Sequence, residues 1–497
     1  MAQTRAVVIG GGIAGMCAAR ALSDVYDRVI VIERDKYPDG IGERRGVPQS
    51  RMFHTLLERG RREVEALFPG FHRLLEERGA PRVSFGFNAA LMTPRGWTRN
   101  LPFPSPRSTF TSRGLLESTI RDLFREVENV EVREETEVVG LISSKGGGGT
   151  ACHGVQVRSR TGGEIESIEG DLTIDASGGQ SKSGAWLEEL GLVPPDEEVL
   201  DPLLTYAGQW LKMRQGVKWP PRWWWTHGVF VQRVPPGDVA GAHLMRQEND
   251  LWLLTLVAGA GQDPPLEAEG VAKFVSGLRS PLISQMLPLF EPVSKMTGYR
   301  LSKNRWRHYE RWKESLDGFI AIGDATCVFN PNQGQGMSAA ATEAGILRKC
   351  LARTTSPEQL PSLFFAEQGL FQANPWRLAV CNDLRFSSVE GERTPATRAF
   401  NWYRDQLSRC SDRTVLQQLG EVDLLLRPVA SLFEPWVVAR AILSRAVSGW
   451  GETRRQAERF APLPPEIAPT RGRLGETLRD RLTWVRRAAR YHLGLGA

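Results

Sequence analysis

Apolar and polar positions divide this 497-residue chain into an α/β part, a sheet-like part and a helical part. Residues 5–35 follow the pattern strand, helix, strand, because the apolar runs AVVI and VIVI flank a small-residue Ala/Leu segment. Residues 115–180 return to this pattern and end in the strand-like run DLTIDASG. Residues 200–310 contain runs such as LWLLTLVAG that predict a sheet, and residues 353–497 are mainly helical in pattern.

Three glycines with the spacing G-x-G-x-x-G follow the first predicted strand. Gly10 permits a tight turn, Gly12 lets a phosphate approach the backbone, and Gly15 lets the helix pack closely on the strand. The helix that follows offers free N–H groups to an anion at its N-terminus. Glu33 ends the next strand about twenty residues later, where an acid can bind ribose hydroxyls. Together these features predict a dinucleotide-binding unit.

A second motif, GFIAIGDATCVFNPNQGQGMS, begins at Gly318. A predicted buried strand ends at Asp324, and a loop rich in proline and glycine leads into a helix at Met337. The carboxylate of Asp324 can accept hydrogen bonds from a ribityl chain, and the helix N-terminus can stabilise negative charge on a reduced flavin. The structural alternative is a buried aspartate that only caps the following turn.

Composition excludes several classes of protein. The net charge of +6 is small for 63 basic and 57 acidic residues, and no basic and aromatic module is present, so no nucleic-acid partner is expected. The six cysteines lack the spacing of metal ligands, so no metal site is expected. No signal peptide precedes the first motif and no apolar stretch reaches about eighteen residues, which favours a cytoplasmic protein with reduced cysteines.

Three segments resemble FAD-dependent monooxygenases of the p-hydroxybenzoate-hydroxylase-like superfamily. They are GGGIAG with Glu33, DLTIDASGGQSKSGAWLEELG and GDATCVFNPNQGQGMS. RRGVPQSRMFHTLL and the segment at Ser112-Arg113 are similar to the branch of the bacterial polyether epoxidases and, more remotely, the squalene epoxidases. The resemblance covers residues 5–350. One departure is Gly179-Gln180-Ser181, where the family usually has Gly-Arg-x-Ser, and it leaves the electron donor open.

The resemblance implies an α/β fold with a Rossmann-like FAD-binding domain, an inserted mixed β-sheet substrate domain and a helical C-terminal region. Residues 1–195 would form the first part of the FAD-binding domain, 196–310 the substrate domain, 311–352 the return segment and 353–497 the helical region.

The resemblance also implies which residues hold FAD. The glycines of the first motif would bind the pyrophosphate and Glu33 the adenosine ribose, while Arg113 would contact a phosphate or the flavin. Val138 would lie beside the adenine, Asp324 would bind the ribityl chain, and the loop after it would surround the isoalloxazine. The implied cofactor-binding residues are Gly10, Gly12, Ala14, Gly15, Glu33, Arg34, Arg45, Arg113, Val138, Asp324, Pro331, Gly334, Gly336 and Met337.

The activity implied by the resemblance is insertion of one oxygen atom from O2, through a flavin C4a-hydroperoxide, into a bulky apolar natural-product-like substrate. NAD(P)H or a separate flavin reductase would supply electrons. Alkene epoxidation is favoured because no clustered ionisable residues provide a base for a phenol. The alternatives are aromatic hydroxylation, an FAD-dependent alkene reductase, a halogenase of the same fold and a non-enzymatic FAD-binding protein. Halogenases carry WxWxIP and an essential lysine, whereas this chain has WPPRWWWT.

No catalytic residue is identified by pattern, and His54, His227, His243 and Tyr309 are lone candidates. Trp223 and Trp225 lie on the same side of a strand if the WWW run is extended. They are therefore candidates for a substrate pocket, with ordinary core packing as the alternative.

The segment GETLRDRLTWVRRAARYHLGL, near the C-terminus, reads as an amphipathic helix with Leu478, Leu482 and Val485 on its apolar side. Packing on the body of the enzyme is favoured over contact with a membrane surface. The expected partner is a lipophilic small molecule, with a flavin reductase as a further candidate.

Overall fold

The computed structural model describes residues 3–447 apart from 43, 45, 47, 84, 86–87, 95, 99–108, 147–148, 301–302, 355 and 411. Arg45 and the predicted amphipathic helix near the C-terminus lie outside the described residues.

The α-helices of the described residues are α1 Ile13–Leu22, α2 Glu58–Leu67, α3 Phe71–Glu77, α4 Arg113–Phe124, α5 Ser183–Glu189, α6 Ala268–Ser276, α7 Leu282–Met286, α8 Gly336–Arg353, α9 Leu360–Asp383, α10 Pro395–Ser408, α11 Arg413–Asp423 and α12 Pro435–Val447. The strands are β1 Arg5–Ile9, β2 Arg28–Ile32, β3 Thr55–Leu56, β4 Ala89–Thr93, β5 Gly96–Trp97, β6 Thr109–Phe110, β7 Val130–Arg133, β8 Thr136–Gly146, β9 Gly149–Ser159, β10 Glu166–Glu169, β11 Leu172–Asp175, β12 Glu197–Leu200, β13 Thr205–Met213, β14 Gly228–Val231, β15 Gly241–Arg246, β16 Leu251–Ala258, β17 Phe290–Pro292, β18 Thr297–Arg300, β19 Asn304–Arg307, β20 Phe319–Ala321 and β21 Cys327–Val328.

The first sheet is parallel and has the strand order β20-β11-β1-β2-β7. Strands β1 and β2 are apolar after their first residue because both faces of the sheet are covered. Ala6 and Val8 pack with α1 and α8 on one face, whereas Val7 and Ile9 pack with β9 and Trp186 on the other. The pairing of β20 with β11 brings the second sequence motif back to the sheet that holds the first.

The second sheet has the order β17-β13-β16-β15-β14-β4-β5, and β18 pairs with β13. One face of this sheet packs against α6 and α7 through side chains such as Leu244, Leu254 and Ile283, and we call it the far face because the cavity described below lies on the other. The structure differs here from the predicted substrate domain of residues 196–310. Strands β4 and β5 come from residues 89–97 and join this sheet because β4 pairs in parallel with β14.

The C-terminal part of the described chain is helical, as the sequence predicts. Helices α9–α12 form a core of their own around Leu378, Leu407 and Val422. A small sheet has the order β12-β19-β21, in which β12 precedes β13 along the chain and β19 follows β18. The predicted fold class is therefore confirmed. None of the helices that the structure describes is long and apolar enough to cross a membrane, and all six cysteines are buried and free.

Candidate active site

One cavity of about 1720 Å³ is lined by residues from both large sheets and from the C-terminal helices. Typical small-molecule pockets have about 300–1,000 Å³, so this cavity has room for a dinucleotide and a second molecule. The predicted cofactor residues that line it are Gly10, Gly12, Ala14, Glu33, Arg34, Arg113, Val138, Asp324, Pro331, Gly334, Gly336 and Met337.

The glycine turn after β1 leaves backbone exposed to the cavity. Gly10 has a φ of 100°, and a Cβ on it would lie 2.6 Å from the carbonyl oxygen of Ala176. Gly15 lies behind the turn rather than on the cavity wall, because a Cβ there would lie 1.8 Å from the carbonyl oxygen of Gly10. Helix α1 then begins without a side-chain cap on Gly12. Its first N–H groups can therefore bind an anion.

A buried chain of alternating charges, which we call the charge chain, starts beside this turn. Glu33 accepts hydrogen bonds from the backbone N–H groups of Gly11 at 2.7 Å and Asp35 at 2.8 Å. It also pairs with Arg44 at 3.0 Å, Arg44 pairs with Glu117 at 2.5 Å, and Glu117 pairs with Arg113 at 3.0 Å. The charge chain, Glu33–Arg44–Glu117–Arg113, thus links the predicted adenosine end of the cavity to residues near Asp324.

The electrostatics of the charge chain favour the ionised forms. Burial alone would raise the pKa of Glu117, but Arg113 and Arg44 hold that pKa below its ordinary value. The Nη2 atom of Arg44 lies 3.6 Å from where a Cβ on Gly12 would stand. Sequence reasoning named the segment that begins at Arg44, with Arg45 as its site residue, but did not single out Arg44, because only the folded loop shows that Arg44 turns inward.

The second motif forms the other end of the candidate cofactor site. Helix α8 begins at Gly336 without a side-chain cap, and a Cβ on Gly336 would lie 3.7 Å from Oδ1 of Asp324. Gly334 has a φ of 65° and approaches Thr55 so closely that a Cβ would lie 2.4 Å from its Cγ2. Burial raises the pKa of Asp324, and Arg113 opposes that rise.

These residues fit FAD on three observations. Two helix N-termini without side-chain caps, those of α1 and α8, open onto one cavity. Gly12 presents bare backbone to the cavity, where a Cβ would meet only Nη2 of Arg44 at 3.6 Å and would take up space that a pyrophosphate could fill. In the described part of the chain the buried Oε1 of Gln335 has no hydrogen-bond partner, although Gln335 lines the cavity beside α8. Contacts of individual residues with FAD stay predictions.

Beyond the α8 end, the cavity is walled by aromatic side chains. We call Phe53, Phe85, Phe110, Phe230 and His243 the aromatic wall, and all five line the cavity. Their rings pack at centroid distances such as 5.6 Å between Phe53 and Phe110 and 5.5 Å between Phe85 and Phe110. Phe230 and His243 are register partners on β14 and β15, and their rings are stacked. This apolar surface suits a planar or unsaturated ligand.

The prediction that Trp223 and Trp225 line a substrate pocket is wrong for this cavity. Their rings stack on each other at 5.6 Å and pack with the core on the far face of the second sheet. Trp225 is only 5% exposed. Large apolar side chains are stabilised equally well by either face of a sheet, and here α6 and α7 provide the apolar partners on the far face.

The four lone candidates for catalysis are separated by the fold. His54 and His243 line the cavity, whereas His227 and Tyr309 are not among its described lining residues. Burial and the nearby Arg113 lower the pKa of His54 to about 4, and burial lowers that of His243 to about 3. Nδ1 of His54 lies 2.8 Å from the carbonyl oxygen of Met52, which can only accept, so Nδ1 is the donor.

Comparisons with known proteins relate this chain to flavin-dependent enzymes by family and fold. Residues 6–180 match the family model for FAD dependent oxidoreductases. Protein Rv3254 of Mycobacterium tuberculosis (strain ATCC 25618 / H37Rv) is 28% identical over 421 residues, covering 81% of this chain and 84% of that protein. The structure of the flavin-dependent brominase Bmp2 is similar with a TM-score of 0.60 at 15% identity, covering 89% of this chain and 98% of Bmp2.

A monooxygenase has a similar structure as well. The p-nitrophenol 4-monooxygenase PnpA from Pseudomonas putida DLL-E4 has a TM-score of 0.56 at 17% identity, covering 85% of this chain and 98% of PnpA. Residues 6–180 thus match the family of FAD dependent oxidoreductases, which supports an enzyme of the flavin-dependent class, and the chain shares its fold with this brominase and this monooxygenase.

Proposed function

We propose that the chain is an FAD-dependent monooxygenase that transfers one oxygen atom from O2 to a bulky, largely apolar substrate. Bound FAD, once reduced, would supply the chemistry that activates O2. The observation that supports the proposal best is the continuity of one cavity. Asp324 and the start of α8 line it together with the aromatic wall, so a cofactor and an apolar substrate would lie side by side.

The residues of this chain have separable roles in the proposal. The N-termini of α1 and α8, Asp324 and Arg113 would bind and orient the cofactor through charge and backbone N–H groups. The aromatic wall would bind the substrate and exclude water from it.

Alkene epoxidation is the form of the reaction that we favour. The titratable side chains among the aromatic wall and its neighbours include His54 and His243, whose pKa values of about 4 and about 3 keep both neutral at neutral pH. Groups with such low pKa values are weak bases, so they suit a substrate that reacts without losing a proton. Aromatic hydroxylation is the second candidate, because donation from Nδ1 leaves Nε2 of His54 free to accept a phenolic proton.

Halogenation is disfavoured by the position of the lysine that lines the cavity. Among the described lining residues the lysine is Lys182, which acts electrostatically on Glu137, next to Val138 at the predicted adenine end of the cavity. In the described residues the aromatic wall therefore lacks the lysine that halogenases of this fold use.

An isotope experiment tests the proposal. The holoenzyme is reduced anaerobically with stoichiometric dithionite, which makes the test independent of the natural electron donor, and mixed with O2 labelled with oxygen-18. 2-Vinylnaphthalene and 2-naphthol are offered separately. We expect a labelled epoxide from the first. A labelled hydroxylated naphthol with no epoxide would favour the second candidate. Unlabelled products, or conversion that proceeds equally well without O2, would contradict the monooxygenase proposal.

A further inference from the structure

We propose that Arg233 binds an anionic group of the substrate, such as a carboxylate, so that the substrate has an apolar body and an acidic end. The inference rests on the proposed function, because it names the substrate class of the same cavity. It arises from a buried cation that the described residues leave without a polar partner.

Arg233 follows β14 and lines the cavity, yet its residue surface is only 6% exposed. Its Nε has no hydrogen-bond partner, and in the described residues the guanidinium makes neither an ion pair nor a hydrogen bond. It lies over the ring of Phe386, with 4.2 Å between its Cζ and the ring centroid. Burying a guanidinium without an anionic partner is costly, and burial accordingly lowers the pKa of Arg233.

Two acids, Asp238 and Asp383, act electrostatically on Arg233, but neither forms an ion pair with it in the described residues, and Asp383 is engaged elsewhere. Asp383 accepts hydrogen bonds from the side-chain amides of Asn304 at 2.9 Å and Asn330 at 2.6 Å. Asp383 acts on Arg233 electrostatically but forms no ion pair with it. By contrast Arg385, which lines the same cavity, pairs with Asp405 at 3.0 Å. Of these two cavity arginines, Arg385 has an ion-pair partner and Arg233 has none, so Arg233 is the one whose charge a bound anion could neutralise.

The position of Arg233 sets the shape of that ligand. Phe230 of the aromatic wall precedes it by three residues, which corresponds to about 10 Å of extended chain. Tyr206, which also acts electrostatically on Arg233, donates a hydrogen bond to Oδ1 of Asn330 at 3.4 Å, in the loop that leads to α8. An apolar body on the aromatic wall would therefore place an acid at Arg233. The planar guanidinium matches a carboxylate through two parallel hydrogen bonds.

The test compares acids with alcohols of the same apolar body. The probes are 2-naphthoate with 2-naphthalenemethanol, and decanoate with decanol, titrated into the oxidised holoenzyme and followed by calorimetry and by the flavin absorbance. We expect at least one acid to bind about tenfold more tightly than its alcohol, as for one charge-assisted contact. In Arg233→Met this ratio should fall to about one, while the alcohol's affinity and the FAD content stay unchanged.

Two further variants keep the result interpretable. Arg385→Met removes a positive charge from the same cavity and should preserve the ratio. If Arg233→Met does not fold, Arg233→Lys retains the charge without the planar fork and should lower the ratio. Equal affinity within both pairs for the parent enzyme, including no binding by either member, would overturn the inference, as would a ratio that survives in both Arg233 variants.

The outcome is separable from that of the proposed function. A preference for acids without labelled product would overturn the monooxygenase proposal and support the anion site. Labelled product from neutral alkenes without any preference for acids would do the reverse.

Discussion

The carboxylate of Asp324 lies where the cavity meets the start of α8, and it is the residue on which the cofactor prediction depends most. Asp324→Ala removes an acceptor for ribityl hydroxyls without changing the helix that follows. Hydrogen bonds to a charged acceptor contribute about 1.5–3 kcal/mol, so we expect the FAD dissociation constant to rise by about one to two orders of magnitude. Fluorescence titration of apoenzyme with FAD measures this. Asp263→Ala, at an exposed site paired with Arg300, is the control, and an unchanged constant in Asp324→Ala would remove Asp324 from the site.

His243 makes the stability of the protein depend on pH in a known direction. Burial lowers its pKa from 6.5 to about 3, so the unfolded chain binds a proton between these values more readily than the folded one. Stability is therefore lost as pH falls below 6.5. His243→Phe preserves a ring in the aromatic wall and removes this proton.

We expect His243→Phe to reduce the loss of unfolding free energy between pH 6.5 and pH 5 by about 2 kcal/mol, since one pH unit between the two pKa values corresponds to about 1.4 kcal/mol. His54, with its own lowered pKa, should retain part of the slope. Urea unfolding at the two pH values checks this, with His153→Gln at an exposed site as control. Parallel curves for parent and His243→Phe would show that the ring is accessible to protons in the folded state.

The two faces of the second sheet have different roles, because one lines the cavity and the other packs into the core with α6 and α7. Side chains alternate along a strand, so Phe230 of β14 and His243 of β15 line the cavity while Val229 and Leu244 pack into the far core. Substitutions on opposite faces should therefore have different effects.

We expect Phe230→Ala to weaken binding of 2-naphthoate by about tenfold, because one stacked ring is lost, with FAD affinity unchanged. Trp225→Ala should lower the unfolding free energy by about 3–5 kcal/mol through the cavity it leaves in the far core. It should leave naphthoate binding by the remaining folded enzyme unchanged. Titration calorimetry and urea unfolding of both variants make the comparison. A larger effect of Trp225→Ala on binding than that of Phe230→Ala would reverse the assignment of the faces.

The distance along the chain between contacting residues decides what could be predicted from the sequence. Each of the two motifs, the glycines at 10, 12 and 15 and the segment 324–337, is one short continuous stretch of sequence. Each contains its own strand, turn and helix, so the local pattern was enough to predict its fold. Trp223 and Trp225 form a local pattern too, but they lie in the loop before β14 rather than on a strand, and the face they cover depends on the path of that loop. Phe53, Phe230 and Arg233 meet only through loops and sheet register, and β4 comes from a segment outside the predicted sheet domain. Contacts of this kind cannot be inferred from spacing in one sequence.

The charge chain joins three elements of the whole molecule. It runs from the end of β2 through the loop that holds Arg44 to α4, and each of its two ends lies beside a predicted part of the cofactor. The four charges cancel in pairs. Removing one acid leaves Arg44 with a remaining partner, whereas removing both leaves a buried cation alone, which is costly.

This cancellation predicts an energetic coupling between Glu33 and Glu117, the two acids that pair with Arg44. Glu33→Gln and Glu117→Gln together should cost about 0.5–3 kcal/mol more than the sum of the single changes, because both act through Arg44. In an Arg44→Met background the two changes should add within about 0.5 kcal/mol. Urea unfolding of the parent and the seven variants measures the coupling. FAD titration of the same set should show weaker binding in Arg44→Met, since this guanidinium lies beside Gly12.

Glu65→Gln paired with Glu33→Gln is the control cycle, because Glu65 bonds to His72 and Gly70 and shares no partner with Glu33. Additivity of Glu33→Gln and Glu117→Gln in the parent would show that the two ends of the cavity are independent.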